Sequence, residues 1–182
     1  ISVKIIKVLF YESFFPQLVA GPIVRHNYFF KQITNNDFLK INTENFKIGI
    51  SIFSIGIIKK VIFADMISDY VDQTYSNCLD IKCSQSDYII STYLYSFQIY
   101  FDFSAYSDMA IGLAKIFGIK LPFNFNSPYK SSSIINFWRN WHITLLSFLK
   151  NYLYIPLGGS KTSILRKNTN LIFTMLLGGL WH

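Results

Sequence analysis

Residues 88–118 read Y-I-I-S-T-Y-L-Y-S-F-Q-I-Y-F-D-F-S-A-Y-S-D-M-A-I-G-L-A-K-I-F-G, the longest helical stretch in the chain. At 1.5 Å per residue, such a run exceeds one perpendicular membrane crossing, so it predicts tilt, a break near Asp102, or two shorter segments. Its middle carries Gln98, Asp102, Ser104, Ser107 and Asp108. Carboxylates inside an apolar helix face a bundle interior or a water-filled cavity rather than lipid. Helical spacing sets Asp102 opposite Tyr106 and Ser104 opposite Asp108. Two readings of the acids stand: they pair with basic groups to hold helices together, or they line a substrate path.

Composition agrees with a bundle in a membrane. The 182 residues are 51% hydrophobic and 18% aromatic but only 15% charged, an apolar balance for a water-soluble domain. No window reaches ~18 uncharged apolar residues, which a lone anchor would need. A polytopic all-α protein with a polar interior tolerates the interruptions. The net charge of +7 comes from basic residues scattered through apolar sequence, which argues against a nucleic-acid partner. Lys59-Lys60 and the cluster Lys161 to Lys167 read as helix-end or loop charges; they assign no orientation here. The start at Ile1 and the stop on His182 within an apolar segment predict a fragment truncated at both ends. No signal peptide is visible.

Upstream of the long helix, residues 13–24 (S-F-F-P-Q-L-V-A-G-P-I-V) are apolar but broken by Pro16, Gly21 and Pro22, which predicts an irregular or re-entrant segment. Arg25 and His26 then mark a membrane boundary. A helix is expected from Phe46 to Ala64, with Gly49 and Gly56 on one face packing closely against a neighbour. Asp65, Asp69 and Asp72 follow at i, i+4 and i+7 and read as a solvated face rather than a metal site. Cys78 and Cys83 lie in a polar stretch, where a disulfide and two free thiols are both open readings.

Downstream, residues 120–130 (K-L-P-F-N-F-N-S-P-Y-K) form a loop, because Pro122 and Pro128 prevent continuous helix. Ser133 is expected to cap a helix carrying His142, with Arg139 one turn before it and Phe137, Trp138 and Trp141 giving an interfacial character. Residues 143–157 suit an in-plane or partly buried helix. Y-I-P-L-G-G-S makes a stop. Thr169 or Asn170 is expected to cap the last segment, in which Gly178 and Gly179 remove bulk just before Trp181 and His182.

The chemistry narrows quickly. The chain has no G-x-S-x-G elbow, phosphate-binding loop, G-x-G-x-x-G or H-E-x-x-H. His142 and His182 are too far apart in sequence for a local metal site, and no metal is expected. Both imidazoles sit in aromatic, almost uncharged surroundings. A neutral imidazole titrates near pH ~6.5 and can accept a proton from a hydroxyl attacking an acyl carbonyl. A plainer role, a hydrogen-bonding link between helices, is also open.

The ordered blocks F-D-F-S-A-Y-S-D-M-A-I-G (101–112), P-F-N-F-N-S-P-Y (122–129), F-W-R-N-W-H-I-T-L (137–145), Y-L-Y-I-P-L-G-G (152–159) and G-G-L-W-H (178–182) resemble the membrane-bound O-acyltransferase family. P-Q-L-V-A-G-P-I-V-R (16–25) is similar as well. Y-I-P-L-G-G resembles the alginate O-acetyltransferase branch more than the branch that exports D-alanine onto teichoic acids. The resemblance implies a partial domain over residues 1–182, a helical bundle with re-entrant and in-plane helices in the bacterial inner membrane. It implies transfer of an acyl group, acetyl by preference, from a thioester such as acetyl-CoA toward a cell-surface polysaccharide hydroxyl, with no bound cofactor. His182 matches the catalytic histidine and His142 a second position needed for activity; Asp102, Asp108, Asn136 and Arg139 are weaker candidates for lining or supporting the site. A periplasmic or lipoprotein acyltransferase partner and membrane lipid are implied too. D-alanyl transfer to teichoic acid, or a non-catalytic transport or scaffold role, are the alternatives.

Overall fold

The computed structural model describes residues 2–18, 20–34, 42–79 and 84–181. Regular structure among them is entirely helical, and the chain divides into two compact units, Ile1–Phe123 and Asn124–His182.

The first unit is organised by one long helix. Ser84 and Asp87 close a reciprocal capping box at its start, each side chain engaging the other's backbone N–H. From there the helix runs without a break over Gln85–Ile116. Of the three expected outcomes, a break near Asp102 and a division into two segments are both overturned by this continuous helix. The helix stops where Gly118 takes φ +77°, and Ile119 and Gly118 return their N–H groups to the carbonyls of Ala114 and Lys115.

Against it packs a second rod, continuous over three pieces: Thr43–Ile58, a π-helical stretch Lys59–Asp65, and Met66–Leu79. We number the α-helices along the chain: α1 (Ser2–Ser13), α2 (His26–Ile33), α3 (Thr43–Ile58), α4 (Met66–Leu79) and α5 (Gln85–Ile116). Along the rod, buried small or branched positions fall at Gly49, Gly56, Ala64 and Val71. On α5 the buried residues Gly112, Ala105 and Ser91 keep a seven-residue multiple. The spacing of eight between Gly56 and Ala64 spans the π stretch, whose extra residue returns the seam to α5 after that interval. The seam is tight at its glycines: a Cβ on Gly49 would lie 2.7 Å from the carbonyl oxygen of Gly112, and one on Gly56 would lie 2.8 Å from that of Ala105. The close packing expected of Gly49 and Gly56 is therefore present.

Two ion pairs flank Ala105. Lys59 Nζ meets Asp108 Oδ2 at 2.6 Å, and Lys60 Nζ meets Asp102 Oδ1 at 2.7 Å and Asp65 Oδ1 at 2.8 Å. These contacts match one of the two readings of the acids, pairing with basic groups of another helix. Tyr106 donates its hydroxyl to the Leu18 carbonyl at 2.9 Å, and Ser104 donates to the Phe101 carbonyl. Among the described residues no His, Cys, Asp and Glu group has metal-holding geometry; Asp72 accepts from Ser68.

Of the stretch 13–24 expected to be irregular, Ser13 ends α1, and the other described residues are irregular apart from a single 3-10 turn at Phe15–Gln17. The segment is tied down by Tyr11, whose hydroxyl donates to the Val24 carbonyl at 2.6 Å and whose own carbonyl accepts from the Gln17 amide. Phe14, Val24, Phe29, Ala110, Ile111, Ala114, Ile119 and Leu121 form the unit's core. Arg25 and His26 open α2 at the surface, with the His26 ring 3.9 Å from that of Phe30. Cys83 lies outside the described residues, and the Cys78–Cys83 question with it.

The second unit contains α6 (Ile134–Asn140), α7 (Ile143–Leu149), a π-helical extension Lys150–Tyr154 and α8 (Ile164–Trp181). Gly158 and Gly159 take φ +108° and +56° in the turn that ends the extension, the stop expected of Y-I-P-L-G-G-S. Neither Thr169 nor Asn170 caps α8, which begins at Ile164. Thr169 donates back to the Leu165 carbonyl within the helix, while buried Asn170 donates its side-chain amide to the Leu157 carbonyl at 2.9 Å. That bond and the contact of Gly178 with Leu149 hold α8 to the preceding elements.

Among the described residues no helix is long and apolar enough to cross a membrane.

Candidate functional site: the turn at His142

Ser133 caps α6 as expected, its hydroxyl accepting from the Asn136 N–H at 3.2 Å. The helix does not reach His142. It ends at Asn140, Trp141 is extended, and His142 takes φ +43° and ψ +54° before α7 starts at Ile143. Left-handed backbone is uncommon for a residue with a Cβ, and histidine is among the types that adopt it more readily. The expectation of one helix carrying His142 is thus corrected: the residue heads a second helix, and its carbonyl accepts from the Leu146 N–H at 3.1 Å.

The break is bridged by the loop before α6. Asn126 donates its N–H to the Asn140 carbonyl at 3.0 Å, and the Asn124 carbonyl accepts the Ile143 N–H at 2.9 Å. One bond falls on each side of the Trp141–His142 pair. Asn124 also accepts, on Oδ1, the hydroxyl of buried Thr144 at 2.6 Å. Ser127, at φ +47°, and Pro128 turn the loop back toward α6. Around the break Phe137 and Trp141 stack at 5.5 Å, and Phe125 meets Trp141 edge-on at 5.1 Å.

His142 is 8% exposed and forms part of the wall of a cavity of about 240 Å³. Trp138, Trp141, Leu145, Leu149, Met175, Gly178 and Gly179 are among the other lining residues. The lining is mainly apolar, with the histidine and the tryptophan indoles as its polar groups. The two glycines have different surroundings. A Cβ on Gly178 would meet Leu149 Cδ1 at 2.9 Å, whereas one on Gly179 would meet nothing within 4 Å. Of the paired glycines of L-L-G-G-L-W-H, Gly179 therefore borders open space, while Gly178 packs against Leu149.

Of the site residues expected from the sequence, the cavity gathers His142 with Gly178 and Gly179. His182 lies outside the described residues. Asn136 is part of α6, its carbonyl accepting the Asn140 side-chain amide at 2.9 Å, and Arg139 is exposed on the same helix. Asp102 and Asp108 belong to the first unit, in the ion pairs with Lys60 and Lys59. Sequence reasoning passed over Asn124 and Thr144. The one available signal was an asparagine between two prolines in P-F-N-F-N-S-P-Y, and loop composition explains that equally well.

Comparison with known proteins agrees with the blocks quoted from the sequence. The chain is 49% identical over 172 residues to the peptidoglycan O-acetyltransferase of Helicobacter pylori, covering 94% of this chain and 32% of that protein. It is 42% identical over 174 residues to the probable alginate O-acetylase AlgI of Pseudomonas aeruginosa, again over 94% of this chain and 32% of the relative. The teichoic acid D-alanyltransferase of Bacillus subtilis is 28% identical over 183 residues, which covers 97% of this chain and 46% of that protein. The chain thus spans about a third of the length of the O-acetyltransferases it matches. The profile of the membrane-bound O-acyltransferase family matches residues 2–182. The chain belongs to the membrane-bound O-acyltransferase family.

Proposed function

We propose that the protein containing this chain transfers an acetyl group toward a hydroxyl of a cell-surface polysaccharide, with reaction at the histidine-lined cavity of the second unit. The observation that carries the reading is the placement of buried His142 in a left-handed turn on the wall of an apolar cavity bordered by Gly178 and Gly179. Identity of 49% and 42% to two O-acetyltransferases, against 28% to a D-alanyltransferase, favours acetyl as the group carried.

In this reading the donor is a thioester of the acetyl-CoA kind. The acceptor oxygen attacks the acyl carbonyl while its proton passes to the imidazole of His182. The new C–O bond forms, the C–S bond breaks, and the proton leaves with the thiolate as a thiol. His142 orients the donor or stabilises the negative charge that develops on the carbonyl oxygen. No covalent intermediate on the protein is needed. An apolar, water-poor cavity suits this step, because it strengthens each interaction with developing charge and limits hydrolysis of the thioester.

The protein is placed in the bacterial inner membrane as a multi-pass bundle. Large apolar side chains exposed on α3 (Ile50, Ile55, Ile57) and on α8 (Leu171, Ile172, Leu176) support that placement. Tyrosines, serines and Gln98 lower the hydropathy of α5, and polar groups of this kind are tolerated on helix faces turned to protein. A periplasmic or lipoprotein acyltransferase would complete delivery to the polysaccharide.

The test is complementation of a deletion strain with the full-length protein, reading acetyl ester on isolated wall or capsular polysaccharide. His182→Ala should lower acetylation by orders of magnitude at unchanged membrane abundance; near-normal acetylation overturns the assignment. His182→Gln separates a scaffold role, which tolerates a hydrogen-bonding replacement, from proton transfer, which does not. Incorporation of D-alanine in place of acetyl would move the chain to the teichoic acid branch.

A further inference from the structure

We infer that Asn124 and Thr144 are positioning residues that hold His142 in its left-handed turn and thereby aim its imidazole into the cavity. The inference rests on the proposed role of that cavity in acyl transfer.

A residue with a Cβ that adopts positive φ persists where its neighbours fix the backbone on both sides. On the C-terminal side of His142, the Ile143 N–H is one of the first in α7 and has no carbonyl within that helix to meet. The Asn124 carbonyl supplies one at 2.9 Å. One residue further, the Thr144 hydroxyl donates to Asn124 Oδ1 at 2.6 Å. A single residue therefore grips two successive residues of α7 through its main chain and its side chain. Asn124 is 1% exposed and Thr144 is 6% exposed, so water is a poor substitute for either partner. On the N-terminal side, Asn126 secures the Asn140 carbonyl at 3.0 Å. His142 sits between these anchors and has little freedom to relax into helix.

The side-chain bond can be removed without altering the backbone one. Thr144→Val keeps shape and deletes the hydroxyl, Thr144→Ser restores it, and Asn124→Ala deletes the acceptor. In the full-length protein, with acetyl transfer assayed in membranes at varied donor concentration, Thr144→Val and Asn124→Ala should each lower kcat by ~10-fold or more. KM for the donor should stay within about threefold. The double variant should be no worse than the more damaged single variant, because both remove one interaction. Thr144→Ser should recover at least half of wild-type kcat.

Additive losses in the double variant, failure of Thr144→Ser to recover, or wild-type kcat in both deletions would overturn the inference. Loss of protein from the membrane in step with loss of activity would overturn it as well, since it would mark Asn124 as a folding residue only. The His142→Ala variant keeps the two proposals apart. If it is active, the catalytic reading of the cavity fails; if it is inactive while Thr144→Val is normal, only the positioning role fails.

Discussion

Gly49 and Gly112 meet backbone to backbone, so closely that a Cβ on Gly112 would lie 2.6 Å from the Gly49 carbonyl oxygen and 2.7 Å from the Phe53 nitrogen. Both obstructing atoms are main chain and cannot swing aside as a side-chain terminus would. Gly112→Ala must therefore push α3 and α5 apart along a stretch that also contains the Gly56–Ala105 contact. Overpacking of this kind costs about 1–3 kcal/mol in well-packed cores. Thermal melts of the detergent-solubilised full-length protein should show a lowered midpoint for Gly112→Ala. An unchanged midpoint would mean that the helices have slack at this contact.

The two lysine–aspartate pairs beside that contact predict unequal effects. Lys59 and Asp108 are 27% and 24% exposed, whereas Lys60 and Asp102 are 42% and 55% exposed. Desolvated charges suffer more from losing a partner than solvated ones do. Asp108→Asn should cost about 1.5–3 kcal/mol, the range for hydrogen bonds to charged groups. Asp102→Asn should cost about 0–1 kcal/mol, the range for exposed pairs. A Lys59→Met, Asp108→Leu double variant should recover most of the loss, as neutral replacement of both partners removes the stranded charge. If that double variant is stable yet loses acetyl transfer, the carboxylate has a role in the substrate path beyond its ion pair.

These features also show where the chain was legible from its sequence. The α3–α5 contact was readable because two glycines seven apart on an apolar helix leave a groove with few other uses. The π-helical residues between Gly56 and Ala64 were not, since their signal is a shift in burial spacing that exists only once α5 is in place. Asp108 carried two readings because its partner Lys59 lies 49 residues away in sequence. The break at His142 was invisible for a similar reason: F-W-R-N-W-H-I-T holds no proline or glycine, and the break is fixed by Asn124 and Asn126 from another segment. The sequence predicts a cap for α8 at Thr169 or at Asn170, as asparagine favours helix starts. The Asn170 amide is instead occupied by the Leu157 carbonyl, and α8 passes through this residue.

Gly179 offers the most direct test of whether substrate occupies the cavity. A Cβ there meets nothing within 4 Å, while the residue lines the same space as His142. Gly179→Ala should therefore fit without strain, and the gain in helix propensity should stabilise by roughly 0.5–1 kcal/mol. Its acetyl transfer should remain within about threefold of wild type, because one methyl removes little of the volume and a change of that size at an apolar wall is worth ~1 kcal/mol or less. Gly179→Leu places four carbons into the same space. The melting midpoint should hold, but acetyl transfer should fall by ~10-fold or more, mainly through donor KM if the acyl chain is what the cavity binds. Gly178→Ala provides the contrast, since its Cβ would press on Leu149 at 2.9 Å and should lower stability before activity. Full activity in a stably folded Gly179→Leu protein would show that the reacting groups meet elsewhere, and His142 would then be a structural turn residue.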